Sequence, residues 1–399
     1  MPSAATPAVP RDFPPTVEAA RARLAAVRPA DYARSRNHLN GAVTRLSPYL
    51  THGLLTLAEV VDTLRAAHRL PLTHKLMQEL GWRAFFRHAW RHDGERILES
   101  LHPGPLPDAA YGTAVPEDVR AGATGVPVID QAVRTLYASG YLHNHARMWL
   151  ASYLVHIRKV HWRAGADWMV AHLLDGDLGS NHLSWQWVAG TASAEPYLFN
   201  ADNVAKYAPP DWHSVGTAID QSYAALDTLA RSGTALPPEP GAHPRVSEPP
   251  RFPCPLEGGY GAPDPAAVAG QDVWLVHPWS LADPPAGCLP VAVLDADWHA
   301  RWPWSQRRWA FVSARLHRIA ALRWFAPAAE LVEALRAARS VRGWHDAHLS
   351  APAWAALKLP PPPVPWPEPA VRCRSFSAYW AQVRRHSASR PTTGERFHD

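Results

Sequence analysis

Asp175 to Gly190 reads DGDLGSNHLSWQWVAG. Within thirteen residues, Asp175 to Trp187, it holds two acids, an asparagine and two tryptophans. Tryptophan seeks burial and aspartate avoids it unless paired, so the mixture points to a polar, aromatic pocket for a large conjugated ligand. The counter-charges lie upstream in GYLHNHARMWLASYLVHIRKVHWR, Gly140 to Arg163. A buried carboxylate needs a partner, and a bidentate arginine is the best one, which pairs Arg147 with Asp175. The plainer reading of the two acids is N-capping of the helix that starts at LGSNH.

Working outward, residues 16–230 read as mostly helical. VIDQAVRTLYASG places Val128, Ile129, Val133, Leu136 and Tyr137 on one face, with Gly140 as a stop. Met148, Leu150, Tyr153, Leu154 and Ile157 form the next apolar stripe, and TVEAARARLAAV and LAEVVDTLRAAHRL give similar patterns near the start. Residues 231–271, with GTALPPEPGAHPRVSEPPRFPCP, cannot hold a regular helix because each proline removes a donor and clashes with the preceding turn. They predict an extended, stiff linker. Residues 272–399 change period: DVWLVHPW and LPVAVLDA are short apolar runs like buried parallel strands. The runs RRWAFVSARLHRIAALRW and PAAELVEALRAARS then read as helices, and FSAYWAQVRRH as a last helix after a second proline-rich break. A small α/β domain follows from this order.

At 399 residues the chain can bury two cores. The net charge of +5, with 22 histidines in reserve, is compatible with a phosphate or nucleic-acid ligand. Cys254, Cys288 and Cys373 are widely spaced and odd in number, which argues against a disulfide framework and shows no metal-ligand spacing. No metal is expected. The first fifteen residues lack a signal-peptide apolar core and no apolar run spans a membrane, so the expectation is a soluble, cytoplasmic protein that meets no membrane.

The motifs, taken together, resemble the FAD-binding helical domain of the photolyase/cryptochrome family over about Tyr32 to Tyr207. They are TRLSPYLTHG (Thr44 to Gly53), QELGWRAFFRH (Gln78 to His88), TGVPVIDQAVRTLYASGYLHNHARM and the DGDL…N…WQW stretch. TRLSPYL offers hydroxyls and backbone N–H groups at a helix start, with Pro48 in the first turn, a good seat for a pyrophosphate and equally for an ordinary capped helix. The resemblance implies that Thr44, Leu46 and Ser47 hold FAD phosphates and that Tyr32, Arg83 and Asn144 contact the cofactor. It also implies that Arg147 and Asp175 hold the flavin's pyrimidine edge, that Asp177 lies near the flavin and its sugar chain, and that Asn181 faces flavin N5.

The resemblance further implies a substrate face of Glu79, Trp82, Asn144, His145, Met148 and Trp187, where a pyrimidine dimer of damaged DNA is bound. The plainer alternative is that Trp82 and Trp187 are core aromatics, since tryptophan buries well anywhere. Trp185 and Trp162 match two members of the family's electron-transferring tryptophan triad, and Glu79, Asn181, Trp185 and Trp162 are the expected catalytic set. The outermost tryptophan is missing from PDAAYGTAV, leaving Tyr111, Trp90 or Trp149 as substitutes. His145 stands where relatives carry arginine, and Leu76 where tryptophan is common.

The expected fold is mainly α: a photolyase-like helical FAD-binding domain followed by a smaller Rossmann-like domain. DVWLVHPWSLADPP and LPVAVLDADWHARWPW resemble the family's antenna domain, which elsewhere precedes the helical one, so a circular permutation is expected; an unrelated tryptophan-rich domain is the other reading. The function implied is light-driven splitting of cyclobutane pyrimidine dimers by a monomer. FAD is the implied cofactor, with room for a second antenna chromophore. A blue-light photoreceptor without repair activity is the alternative.

Overall fold

The computed structural model describes residues 12–241 and 243–388. The opening stretch read above for a signal peptide lies mostly outside the described residues. The helical half is built from short and medium helices. Pro127–Ser139 begins on a proline and ends where Gly140 turns left-handed (φ 68°), as the sequence stop predicts. Asn144–Ser152 runs straight into a single π-turn at Tyr153–Ile157. Trp162–His172 packs on Leu178–Ala189, which also packs on the long helix Lys75–Asp93.

The second half carries a four-stranded parallel sheet in the order Leu322–Ala326, Leu289–Asp295, Asp272–Val276, Ser340–Arg342. Numbered along the chain these strands lie 3-2-1-4, the first four positions of the doubly wound order 3-2-1-4-5-6. The two predicted strands are there. The predicted helix ending at Trp324 is not as long as its sequence suggested: it stops at Ile319, and LRWFA forms the edge strand. Trp324 and Ala326 are buried there, and the gain from ladder pairing beside Leu289–Asp295 overrides the run's helical pattern.

The proline-rich stretch is a strap bound along its length, where a stiff spacer was expected. The Leu236, Glu239 and Val246 amides donate to the Ile157, Thr124 and Ala121 carbonyls at 3.0, 2.9 and 2.8 Å. Further on, Arg251–Phe252 pairs with Trp304–Ser305, and Gly261 joins the edge of the sheet beside Trp324. The strap holds one short helix, Pro265–Val268, which starts on a proline; elsewhere among its described residues the prolines keep helix out yet leave enough donors between them to dock it on both halves. Glu248 is its main anchor, ion-paired with Arg120 at 2.9 Å and facing His172 at 3.1 Å. Burial would raise its pKa, but bonds from His172 and Arg120 bring it down to about 2. Such a depressed acid stabilises the fold above its ordinary value of 4.5, and the contribution fades as pH falls toward 2. Glu248→Gln should cost on the order of 1 kcal/mol at pH 7, kept small because Arg120 is well exposed. Thermal melts should show the gap between variant and parent closing below pH 4.5; a gap constant with pH would remove this anchor.

Packing does not follow the helical and α/β halves. One apolar cluster runs from Phe13, Tyr49 and Leu80 through Leu174 and Leu178 into Val276, Val293 and Trp309 of the sheet domain. A second gathers Ile129, Trp149, Trp162, Trp185 and Leu226. The helix Phe376–Ala388 lies on Lys75–Asp93, where Trp380 fills the space over Gly81; a Cβ there would stand 2.5 Å from the indole.

Candidate cofactor and substrate site

The DGDL turn links Trp162–His172 to Leu178–Ala189. Asp177 is the N-cap of the latter and accepts the Ser180 amide at 2.8 Å, so the capping reading holds for this acid. It also meets Arg87 at 2.7 Å, and Arg87 reaches Asp346 of the sheet domain at 2.6 Å. Burial alone would raise Asp177, but Arg87, His348 and Arg83 bring it down to about 2. Asp175 caps nothing. Its two oxygens share one Arg147 nitrogen, Nη2, at 2.9 and 2.8 Å, while Arg147 Nε donates to the Leu142 carbonyl. The pair therefore forms, with one nitrogen doing what a fork was expected to do. Burial opposes ionisation of Asp175, yet Arg147 and the Ser47 hydroxyl hold it below the usual carboxylate range.

The phosphate-seat residues come to the same place. Thr51 Oγ1 donates to the Asp175 carbonyl at 3.3 Å and accepts from Arg83 at 2.6 Å. Thr44 Oγ1 accepts the Leu46 amide at 3.4 Å, and Arg45 between them is left-handed (φ 51°), which turns the chain into Ser47–Thr51. That helix has only five residues, so the expected dipole contribution is slight; amides, hydroxyls and Arg83 are what the seat offers.

Glu79 accepts from Arg36 at 3.3 Å, and Tyr32 feels Glu79, Arg36 and Tyr141, burial and Glu79 pushing its phenol upward. The next residue, Asn37, sets its carbonyl 2.7 Å from His145 Nδ1. Arg36 and Asn37 thus stitch the Glu79 helix to the Asn144–Met148 helix. On the latter, Asn144 Nδ2 lies 3.6 Å from Met148 Sδ, one turn apart, with Arg147 beside them. His145 stacks on Trp149, and burial lowers its pKa, so at neutral pH it carries no charge to offer a phosphate. Trp82 is stacked on one face by Phe376 of the C-terminal helix, centroids 4.2 Å apart. Trp187 is 38% exposed, near Tyr197.

Asn181 is fixed by donating to the Ala166 carbonyl at 2.9 Å. Trp185 is buried against Gly165, where a Cβ would meet its ring at 2.3 Å, three residues along the helix from Trp162. Trp162 donates to Ser100 at 3.0 Å and lies 5.6 Å from His161, which in turn lies 6.2 Å from Tyr111. Of the substitutes named for the missing tryptophan, Tyr111 is therefore on a continuous aromatic line with Trp162.

The charges test whether these residues suit FAD. Around the turn stand four guanidiniums, Arg83, Arg87, Arg147 and Arg308, against the carboxylates of Asp175, Asp177 and Asp346. Among the described residues neither Arg83 nor Arg308 has an acid within salt-bridge reach; both spend their donors on oxygens of Thr51, Val170 and Gly176. Four cations, Arg308 fully buried and the other three partly so, against three acids leave one positive charge in surplus, which suits a ligand bearing a pyrophosphate and an ionisable ring. Residues 76–215 match the model of the "FAD binding domain of DNA photolyase".

Over this stretch the chain is similar to the FAD-binding domain of photolyases and cryptochromes.

Tyr32, Thr44, Leu46 and Ser47 precede the stretch matched by this photolyase model. Over 178 residues, 41% of the chain, the protein is 36% identical to "Deoxyribodipyrimidine photo-lyase" of Streptomyces griseus, covering 36% of it. Over 189 residues, 45% of the chain, it is 30% identical to "Cryptochrome DASH, chloroplastic/mitochondrial" of Oryza sativa subsp. japonica, covering 32% of that protein. The chain thus spans about a third of the length of these curated photolyase and cryptochrome relatives. A solved structure of a Synechocystis sp. PCC6803 cryptochrome is 26% identical, with a TM-score of 0.43, covering 50% of this chain and 44% of that one.

The sequence reading missed Arg87, Thr51, Arg308, Asp346 and His348. Arg87 stands within the quoted FFRH motif and, one turn from Arg83, shares its helix face. Arg308 stands in RRWAFVSARLHRIAALRW, read above only as a helix, and Asp346 and His348 lie far along the chain, in no motif.

Proposed function

We propose that this protein is a light-driven DNA-repair flavoprotein, a deoxyribodipyrimidine photo-lyase, that splits cyclobutane pyrimidine dimers. The observation that carries it is the stitching of two helices by Arg36 and Asn37. It ties Glu79, on the helix that also carries Trp82, to the helix of Asn144 and Met148, half-exposed, which also carries Arg147 of the Arg147–Asp175 pair. That surface joins an acid, a carboxamide and a thioether to an aromatic wall, which suits a flipped-out pyrimidine dimer, whose damage lowers the cost of unstacking it. When bound, FAD would supply the photoexcited electron that opens the dimer and takes it back afterwards. Arg147, Asp175 and Asp177 would orient the ring, Thr44, Leu46, Ser47 and Arg83 would receive the phosphates, and Asn181 would present a fixed carboxamide. Glu79 would bond the dimer, while Phe376 leaves Trp82 one side for it. Arginines would grip the backbone without sequence preference.

The same reading makes the protein a cytoplasmic monomer, with residues 16–230, 231–271 and 272–399 as helical domain, connector and antenna-like domain. Among the described residues no helix is long and apolar enough to cross a membrane. The 3-2-1-4 strand order supports the permuted antenna domain. A crevice of about 340 Å³ between the halves, walled by Trp298, Trp302 and Trp304, would suit a second chromophore.

Glu79→Ala tests the substrate face. It removes a charge-assisted hydrogen bond, so repair of a dimer-containing oligonucleotide under blue light should fall roughly ten- to hundredfold at limiting substrate. Flavin content should stay substantial. Repair at the parent rate would displace Glu79, and a pre-reduced parent protein that repairs nothing would leave the photoreceptor reading.

A further inference from the structure

Every residue of the turn that carries the two acids is held from outside it. His52 sets a ring nitrogen 2.8 Å from the Leu174 carbonyl and its other nitrogen 2.5 Å from that of Pro278. Thr51 bonds the Asp175 carbonyl. Arg308 Nη2 donates to the Gly176 carbonyl at 2.6 Å, and its Nη1 to Val170 at 3.2 Å. Arg87 joins Asp177 to Asp346. His348 Nε2 accepts the Leu178 amide at 3.3 Å, while its Nδ1 bonds Asp346 at 2.6 Å, so one neutral tautomer satisfies both. Arg308, Asp346, His348 and Pro278 all belong to the sheet half.

Arg308 is the least explained of them. It is 1% exposed, lies 3.9 Å over the Trp304 ring, and has a buried Nε without a partner. A buried guanidinium without an adjacent acid is costly, and burial pushes its pKa down to about 9. The acids whose charge it feels are Asp175 and Asp177. A Cβ on Gly176 would stand 2.4 Å both from Arg308 Nη1 and from the Val170 carbonyl oxygen, so the turn leaves room for nothing but glycine once Arg308 is seated against it.

We propose that Arg308 and the Asp346–His348 pair are positioning residues of the cofactor site, so that the sheet domain completes the site. This rests on the reading of Asp175 and Asp177 as FAD-holding acids. Groups that orient direct ligand contacts set their precision, and a turn centred on glycine has little stiffness of its own. Arg308 also adds positive charge to the turn, which favours an anionic reduced ring, and Asp346 opposes it.

The test uses the full chain as Arg308→Met, Arg308→Lys and Asp346→Asn, with Asp175→Ala as control. Flavin-stripped protein is titrated with FAD, its unfolding is followed by circular dichroism, and the midpoint potential of the bound flavin is measured. Arg308→Met should raise the FAD dissociation constant on the order of ten- to hundredfold, the range typical of lost supporting contacts, with stripped protein still unfolding cooperatively. Arg308→Lys should recover part of the loss. The potential should fall in Arg308→Met and rise in Asp346→Asn; a merely structural loosening would move both the same way. If Arg308→Met does not fold, the lysine and Asp346→Asn variants decide by the same readings. Parent-like affinity and potential in the variants, with Asp175→Ala losing FAD, would overturn the proposal and spare the reading beneath it. A parent protein that takes up no FAD would overturn both.

Discussion

Asp175→Ala should purify almost without flavin. The substitution leaves the Arg147 guanidinium facing an empty site, and breaking a buried pair costs about 3–5 kcal/mol. Arg147 keeps 23% of its side chain exposed, so the lower end applies. About 3 kcal/mol is two orders of magnitude in binding, enough to strip FAD during chromatography. The variant also removes the carboxylate that the Ser47 hydroxyl faces, loosening the phosphate seat at the same time. Absorbance at flavin wavelengths per mole of protein measures the result. Normal occupancy would mean that the pocket lies elsewhere.

Trp185→Phe should nearly abolish blue-light reduction of oxidised flavin while leaving repair by pre-reduced protein in place. Phenylalanine is far harder to oxidise than tryptophan. The indole's outer ring rests on Gly165, so the smaller side chain leaves a shallow gap costing about 1 kcal/mol. Repair persists because its electron starts on the flavin. Tyr111→Phe asks where the oxidising hole ends. With Tyr111, His161 and Trp162 in one aromatic file, transient absorption of the parent should show a tyrosyl radical that this change removes. Photoreduction of Trp185→Phe at the parent rate would assign the first donor to another tryptophan.

The helical half was legible because its signals are local. Gly140 ends a helix, Pro48 and Asp177 start helices, and Arg147 meets Asp175, each through short-range geometry that a motif preserves. The strand at Leu322–Ala326 was not, since only burial beside Leu289–Asp295 separates it from the helix before it. The bound strap was hidden for a similar reason: prolines announce the absence of a helix but say nothing about where the remaining amides dock. His145, which stands where relatives carry arginine, has its ring taken up by Trp149 and the Asn37 carbonyl, partners that no local motif announces. Arg308 could not have been found by spacing, because its partners are two backbone carbonyls, which leave no trace in a side-chain pattern.

The grip on Gly176 has a consequence for biosynthesis. Arg308 follows Gly176 by 132 residues, and His348 follows Leu178 by 170. At ribosomal speeds the acidic turn emerges roughly seven to twenty-six seconds before the first of these arrives. During that interval the helical half can collapse around its own apolar stripes, yet the turn between its acids is held from one side only. Secure cofactor loading is therefore a late event in the life of the nascent chain, and a truncated translation product would be a helical body that holds flavin loosely.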